Sequence, residues 1–167
     1  MTDFARLMSD YFVKYLAGQK GSGSNTMKTY RDTFVQLLEF MDEKKHIRAD
    51  CIEVDSFSYD IINEFLEYLE KEKRVSISTR NNRLAAIRSF FKYTGYHEPK
   101  YLNISTSIRE ISKKKTEGRQ MNYLSVNAME HFLNSFDKTD HKELRCFCIV
   151  LLLYESGARV TELCNVR

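Results

Sequence analysis

Apolar residues recur along this chain at intervals of three and four, the spacing that gathers side chains on one side of an α-helix. In residues 4–17 the stripe is Phe4, Leu7, Met8, Tyr11, Phe12 and Tyr15, which predicts a first helix. The run from Gly18 to Ser24 is rich in glycine and serine and predicts a flexible loop. A second helix, capped by Ser24 or Asn25, carries Tyr30, Phe34, Leu37, Leu38 and Met41. Residues 46–57 hold neither period and read as a mixed connection. Ser58 caps a third helix striped by Ile61, Ile62, Phe65, Leu66 and Leu69. Ser78 caps a fourth, which runs to about Thr94 and is closed by Gly95. Its stripe is Leu84, Ile87 and Phe91, with Ala86 and Phe90 beside it. Four amphipathic helices joined by short polar loops predict a compact all-α domain over residues 1–108.

Residues 109–122 break the pattern. The stretch from Ser112 to Gln120 holds Lys113, Lys114, Lys115 and Arg119 against Glu117 alone, and reads as a basic interdomain linker. Helical spacing restarts over 123–167. Leu124-Ser125 introduces a short helix with Val126, Met129, Phe132 and Leu133. Asp140 and Glu143 have capping-box spacing at the head of a helix through Tyr154 that is apolar on all sides. Gly157 ends that helix, and Ala158–Val166 begins another. A helix apolar all round needs protein around it. The expectation is therefore a second domain begun but not completed: a chain cut from a longer one, a truncated gene, or a helix that packs on another chain.

Composition narrows the class. Of the 167 residues 43% are apolar and 13% aromatic, too many for a disordered chain, while one proline and six glycines suit a helical one. No apolar run reaches the roughly 18–20 residues that cross a bilayer, and the N-terminus lacks a signal peptide's basic start and apolar middle. A cytoplasmic protein without membrane contact is expected. Cys51, Cys146, Cys148 and Cys164 form no CxxC pair and are expected to be buried, reduced thiols. The four histidines lack ligand spacing, so neither metal nor cofactor is expected.

The net charge of +3 conceals a segregated distribution. Residues 39–70 hold ten acidic against three basic side chains, a balance of −7; residues 71–100 hold eight basic against two acidic, a balance of +6. Such blocks become either two faces that pair with each other or a basic face turned to an anionic polymer. In the fourth helix, where residues turn by about 100°, Asn81, Arg88 and Lys92 share one outward face. Asn82 and Ser89 lie alongside, and no carboxylate interrupts them. Asparagine and arginine suit the edges of adenine and guanine. Thr79, Arg80 and Arg83 stand near the helix start, where an anion would meet free backbone N–H groups. The other reading is a solvated basic helix with Arg83 paired to an acidic residue of the third helix. Lys28, Thr29 and Arg31 of the second helix could donate to phosphates, with Tyr30 beginning the core stripe. Arg159 opens the last helix with Glu162 three residues on. That spacing supports a phosphate clamp or a plain structural pair. No phosphate loop, dinucleotide fingerprint, GxSxG or HExxH occurs.

The segment Leu152-Leu153-Tyr154-Glu155-Ser156-Gly157-Ala158-Arg159-Val160-Thr161-Glu162-Leu163 resembles the "LLYxTGxRxxEL" box of tyrosine recombinases and phage integrases, with Ser156 at the usual threonine. Asn25-Thr26 through Tyr30 resembles that family's "NTxxxY" opening, and Ser78–Tyr93 its "T...R.L.AIRxFF.Y" helix. Leu124-Ser125 resembles the start of its catalytic domain. The resemblance implies a four-helix SAM-like core-binding domain, a basic linker and the first helices of a truncated catalytic domain. It implies duplex DNA as partner, self-assembly on DNA from dimer to tetramer in full-length form, and chemistry without metal or cofactor. In such enzymes a tyrosine attacks the scissile phosphate to give a 3′-phosphotyrosyl link. Arg159 would stabilise charge on that phosphate, with Glu162 orienting it. The DNA-gripping set is then Lys28, Thr29, Arg31, Thr79, Arg80, Asn81, Asn82, Arg83, Arg88, Lys92, Lys113, Lys114, Lys115 and Arg119. The family's nucleophile lies downstream of these boxes, so the chain is expected to be inactive alone. Two other readings stay open: a truncated, non-catalytic DNA-binding regulator, and a helical protein–protein module.

Overall fold

The Thr2 hydroxyl accepts from the Ala5 amide and opens α1, Asp3–Asp10, the first of a set of helices without strands among the described residues. The structure, a computed structural model, describes residues 2–116, 118 and 123–165. It divides into two units, Met1–Glu117 and Gly118–Arg167.

In the first unit α1 runs without a break into a π-helical segment, Tyr11–Gln19, so the helix expected to stop near residue 17 extends past Gly18. Buried Tyr11 and Leu16 are five residues apart, and the wide turn carries both to the core. α2, Ser24–Lys45, starts from Gly23 with no side-chain cap, so neither Ser24 nor Asn25 caps it. His46, left-handed at φ 56°, ends it, with the Ile47 amide donating to Met41 O. Residues 46–57 carry two single 3₁₀ turns, Ala49–Cys51 and Val54–Ser56. Ser58 caps α3, Tyr59–Lys71, by accepting from the Ile61 amide.

α4 spans Ile77–His97 and is capped by Ser76, which accepts from the Thr79 amide, instead of by Ser78. Ser76 is the residue whose hydroxyl stands three positions before a free amide in this register. Gly95 does not close α4 but lies buried within it, facing Ser105 of a further helix, α5, Leu102–Glu110. A 3₁₀ turn at Pro99–Tyr101 joins the two. The first unit therefore has five α-helices where the apolar pattern predicts four. Ile108 and Ile111 are buried, so residues 109–111 pack on the unit and do not lead freely away from it.

Aromatic rings hold this unit together. Phe90 of α4 meets Phe4 of α1 at 5.5 Å, Tyr11 at 5.4 Å and Phe34 of α2 at 5.3 Å, all edge to face. Phe40 joins α2 to α3 through Phe65 and Tyr68 at 5.5 and 5.3 Å. Each such pair adds roughly 0.5–1.5 kcal/mol beyond its burial. Asp3 pins the N-terminus by accepting from the Val54 amide and from the Tyr101 hydroxyl.

The second unit has α6, Val126–Asn134, α7, His141–Ser156, and α8, Val160–Cys164. Asp140 caps α7, but Glu143 accepts from the Asp137 amide, so the expected capping box does not form. Gly157, left-handed at φ 62°, ends α7. None of the described residues here is buried. Leu144, Ile149, Leu152 and Tyr154 are exposed, as are all four cysteines of the chain, contrary to the expectation of buried thiols. Cys51 sits in the 3₁₀ turn Ala49–Cys51 at the surface of the first unit, and Cys146, Cys148 and Cys164 lie on α7 and α8, none of whose described residues is buried.

Candidate nucleic-acid interface

α4 lies across α2 with α5 beside it, and their outer edges enclose an open cleft of about 470 Å³. Lys20, Arg88, Lys92, Arg109 and Lys113 line it, together with Tyr15 and Tyr30, and among the described residues no carboxylate does. Arg88 donates to the backbone carbonyl of Arg109, which joins α4 to the end of α5, and its Nε is buried without a partner. Lys92 is exposed, with its ammonium 5.8 Å from the Tyr96 ring. Ser89 accepts from the Tyr11 hydroxyl at 2.8 Å. Burial pushes the Tyr11 phenol well above its ordinary range, a shift opposed by that hydrogen bond.

A second recess of about 300 Å³ adjoins the first through Tyr30 and Ala85 and is lined by Asn25, Thr26, Thr29 and Asn82. It lies at the start of α2, where the lack of a side-chain cap leaves first-turn amides pointing outward. Asn82 is exposed there. The two recesses form a continuous face of amides, hydroxyls and cations, the groups that donate to phosphates and base edges.

Not every predicted residue is free to act there. Arg80 is 5% exposed; its Nη1 donates to Ser112 O at 3.1 Å and to Asn81 Oδ1 at 3.2 Å. Its Nε lies 3.2 Å from Glu70 Oε1 without hydrogen-bond alignment. The ion pair to the third helix thus belongs to Arg80, not Arg83. Arg83 instead donates to Thr29 O at 3.0 Å and Thr33 Oγ1 at 3.2 Å, tying α4 to α2. Thr79 shares the Ser76 cap, 3.0 Å between hydroxyls. Asn81 is bound to the Lys114 backbone, and the Lys114 ammonium lies 2.7 Å from Glu70. Lys28 and Arg31 are exposed on α2, Arg31 being 3.8 Å from Asp32. Thr29 donates to Asn25 O. Lys115 is exposed, and Arg119 lies outside the described residues.

Four lining residues escaped the sequence reading as contact groups: Tyr15, Lys20, Tyr30 and Arg109. Arg109 was hidden with α5, although Ile104, Ile108 and Ile111 keep helical spacing. Lys20 falls in the predicted loop, and the π-helical extension brings it beside Tyr15, its amide donating to Tyr15 O. Tyr30 does double duty, half-buried on the core stripe and lining the cleft.

In the second unit the Arg159 amide donates to Glu162 Oε2 and its Nη1 to Glu162 Oε1, both at 2.9 Å. The backbone N–H, and after it the guanidinium, hold the Glu162 carboxyl below its usual range. The Arg159 side chain is 82% exposed, so its remaining donors face outward. Among the described residues no cluster of three or more histidine, cysteine or acidic side chains could hold a metal, and no helix is long and apolar enough to cross a membrane.

Residues 10–99 match the family described as phage integrase, N-terminal SAM-like domain. Two Sinorhizobium fredii proteins with provisional integrase/recombinase names are similar over nearly the whole chain. They are y4rC, 26% identical over 98% of this chain and 49% of its own length, and y4rD, 28% identical over 97% and 58%. The tyrosine recombinase XerC of Staphylococcus aureus strain USA300 is 26% identical over 96% of this chain and 50% of its own. The chain spans about half the length of these relatives. No solved structure matches it.

Proposed function

Since the chain belongs to the phage integrase family through its N-terminal SAM-like domain, we propose that it grips duplex DNA along the α2–α4–α5 face as part of a site-specific tyrosine recombinase. The observation that carries this reading is the cleft where the described residues place five cations and no carboxylate. Lys92, Arg88, Arg109, Lys113 and Lys20 would meet successive phosphates. Asn82, beside the open start of α2, would reach a base edge. The whole enzyme would break and rejoin strands through a 3′-phosphotyrosyl intermediate, assembling as dimer to tetramer on its site. Arg159, held through Glu162, would place its outward donors on the scissile phosphate where charge develops. The exposed apolar side chains of α7 favour a compatible addition, that further polypeptide packs on that helix.

Fluorescence anisotropy with random duplex DNA at about 50 and 200 mM salt tests the grip. Five phosphate contacts predict a loss of affinity of roughly 10²–10³-fold between the two, from released counterions. A folded sample that does not bind at the lower salt would overturn the reading.

A further inference from the structure

The segment after α5 is fastened to α4 by side chains that also belong to the basic stretch. Asn81 Nδ2 donates to Lys114 O at 2.8 Å while the Lys114 amide donates to Asn81 Oδ1 at 3.1 Å. The side-chain amide thus pairs with one backbone residue in the way a neighbouring strand would. Buried Arg80 reinforces the clasp: Nη1 donates to Asn81 Oδ1 and to Ser112 O. Glu70 of α3 lies between Arg80 Nε and the Lys114 ammonium, at 3.2 and 2.7 Å. Below the clasp Ile111 is 1% exposed and anchors the chain in the core. Residues 112–116 are not helical. The Lys114 ammonium pairs with Glu70, and Lys113 lines the basic cleft.

From this we infer that Asn81 and Arg80 are positioning residues for DNA binding: they do not touch DNA but hold Ser112–Lys114 in register, so that Lys113 is presented at the cleft. The inference rests on the DNA-gripping reading. It separates the α4 residues Asn81 and Arg80, whose polar groups are spent on the chain itself, from exposed Asn82 and Lys92. The arrangement has a physical advantage. A lysine on a free tether loses much backbone entropy when it docks on a phosphate, whereas a clasped backbone has lost it on folding.

A double-mutant cycle between Asn81→Ala and Lys113→Ala is the test, with anisotropy on random duplex DNA across a salt series. Asn81→Ala should lower the slope of log K against log salt by about one, the loss of one phosphate contact. In the Lys113→Ala background the same change should do nothing further. Equal losses in both backgrounds would mean that Asn81 meets DNA itself, and no loss in either would mean that the clasp does not serve binding; each overturns the inference. An independent readout needs no DNA. The Lys114 amide should be protected from hydrogen exchange in the wild-type chain and unprotected in Asn81→Ala. A wild-type chain that shows the protection but no salt-sensitive binding would overturn the DNA reading, and the positioning role with it, while leaving the clasp in place.

Discussion

Gly95→Ala should destabilise the first unit even though alanine is the better helix former. Gly95 is buried inside α4, and a Cβ there would stand 2.7 Å from Ser105 Oγ and 2.8 Å from Ser105 Cβ. The hydroxyl could rotate away, but the Ser105 Cβ is fixed to the backbone of α5, so relief requires the helix to move. Helix propensity favours the substitution by about 1 kcal/mol, and overpacking opposes it by about 1–3 kcal/mol. With a backbone-anchored atom in the way the upper part of that range applies, leaving a net loss of about 1–2 kcal/mol. For a unit of this size that lowers the melting temperature by roughly 5–10 °C. Near-ultraviolet circular dichroism, which follows the packed aromatic rings of this unit, is the suitable signal. Gly95→Ala/Ser105→Gly should recover most of the loss, since it removes both offending atoms. Because α5 carries Arg109, the single variant should also bind DNA more weakly well below its melting point. A Gly95→Ala protein as stable as wild type would refute the argument that α4 and α5 need this close approach.

Lys20→Glu with Lys92→Glu should abolish DNA binding at about 100 mM salt while circular dichroism stays unchanged, since both side chains border the cleft and both are exposed; unaltered affinity would move the interface elsewhere. Arg159→Ala should leave binding by this chain within about twofold but reduce strand cleavage by about 10²–10³-fold in a longer protein that contains it, measured with suicide substrates; normal cleavage would remove Arg159 from the site. The folded state keeps Tyr11 protonated to higher pH than the unfolded state does, so its contribution is intact below the unfolded phenol's pKa of about 10 and is lost as pH rises through the folded one. Stability by urea titration should therefore fall above that pH, and Tyr11→Phe should flatten the fall; identical pH profiles would discount the burial of this phenol.

The apolar periodicity of the sequence locates α2, α3 and α4 and places Phe34, Phe65 and Phe90 in one core, because each of these helices buries a stripe against the others. It misses α5 because Leu102–Glu110 is mostly polar and one of its two buried residues is Ser105, small enough to face Gly95. That same packing inverts the meaning of Gly95, which reads as a helix stop in the sequence and is a contact point in the fold. Helix ends were poorly legible wherever the usual signals were lacking. α2 stops at left-handed His46, and the chain after α3 turns through left-handed Arg74, positions where glycine would be the ordinary choice. The second unit's helices were visible, but their burial was inferred from an apolar pattern whose covering surface is not among the described residues.

Among the basic residues of α4, charge alone could not distinguish those that hold the fold from those that face outward, but spacing could. Arg80, Leu84, Ile87 and Phe91 follow at intervals of four, three and four, so Arg80 continues the buried stripe by one turn. An arginine on such a stripe stays buried only with partners, and Glu70, Asn81 and the Ser112 carbonyl are those partners. Arg83 stands one turn before Ile87 and two before Phe90 and takes the half-buried margin, where Thr29 and Thr33 receive it. Arg88 and Lys92 are four apart on the remaining side, and Ala85, one turn before Arg88, lines the same cleft. The four cations that α4 contributes to the basic stretch of residues 71–100 thus divide by helical phase. One share neutralises the acidic third helix and secures the following chain. The other is left, without an opposing carboxylate, beside the open start of α2.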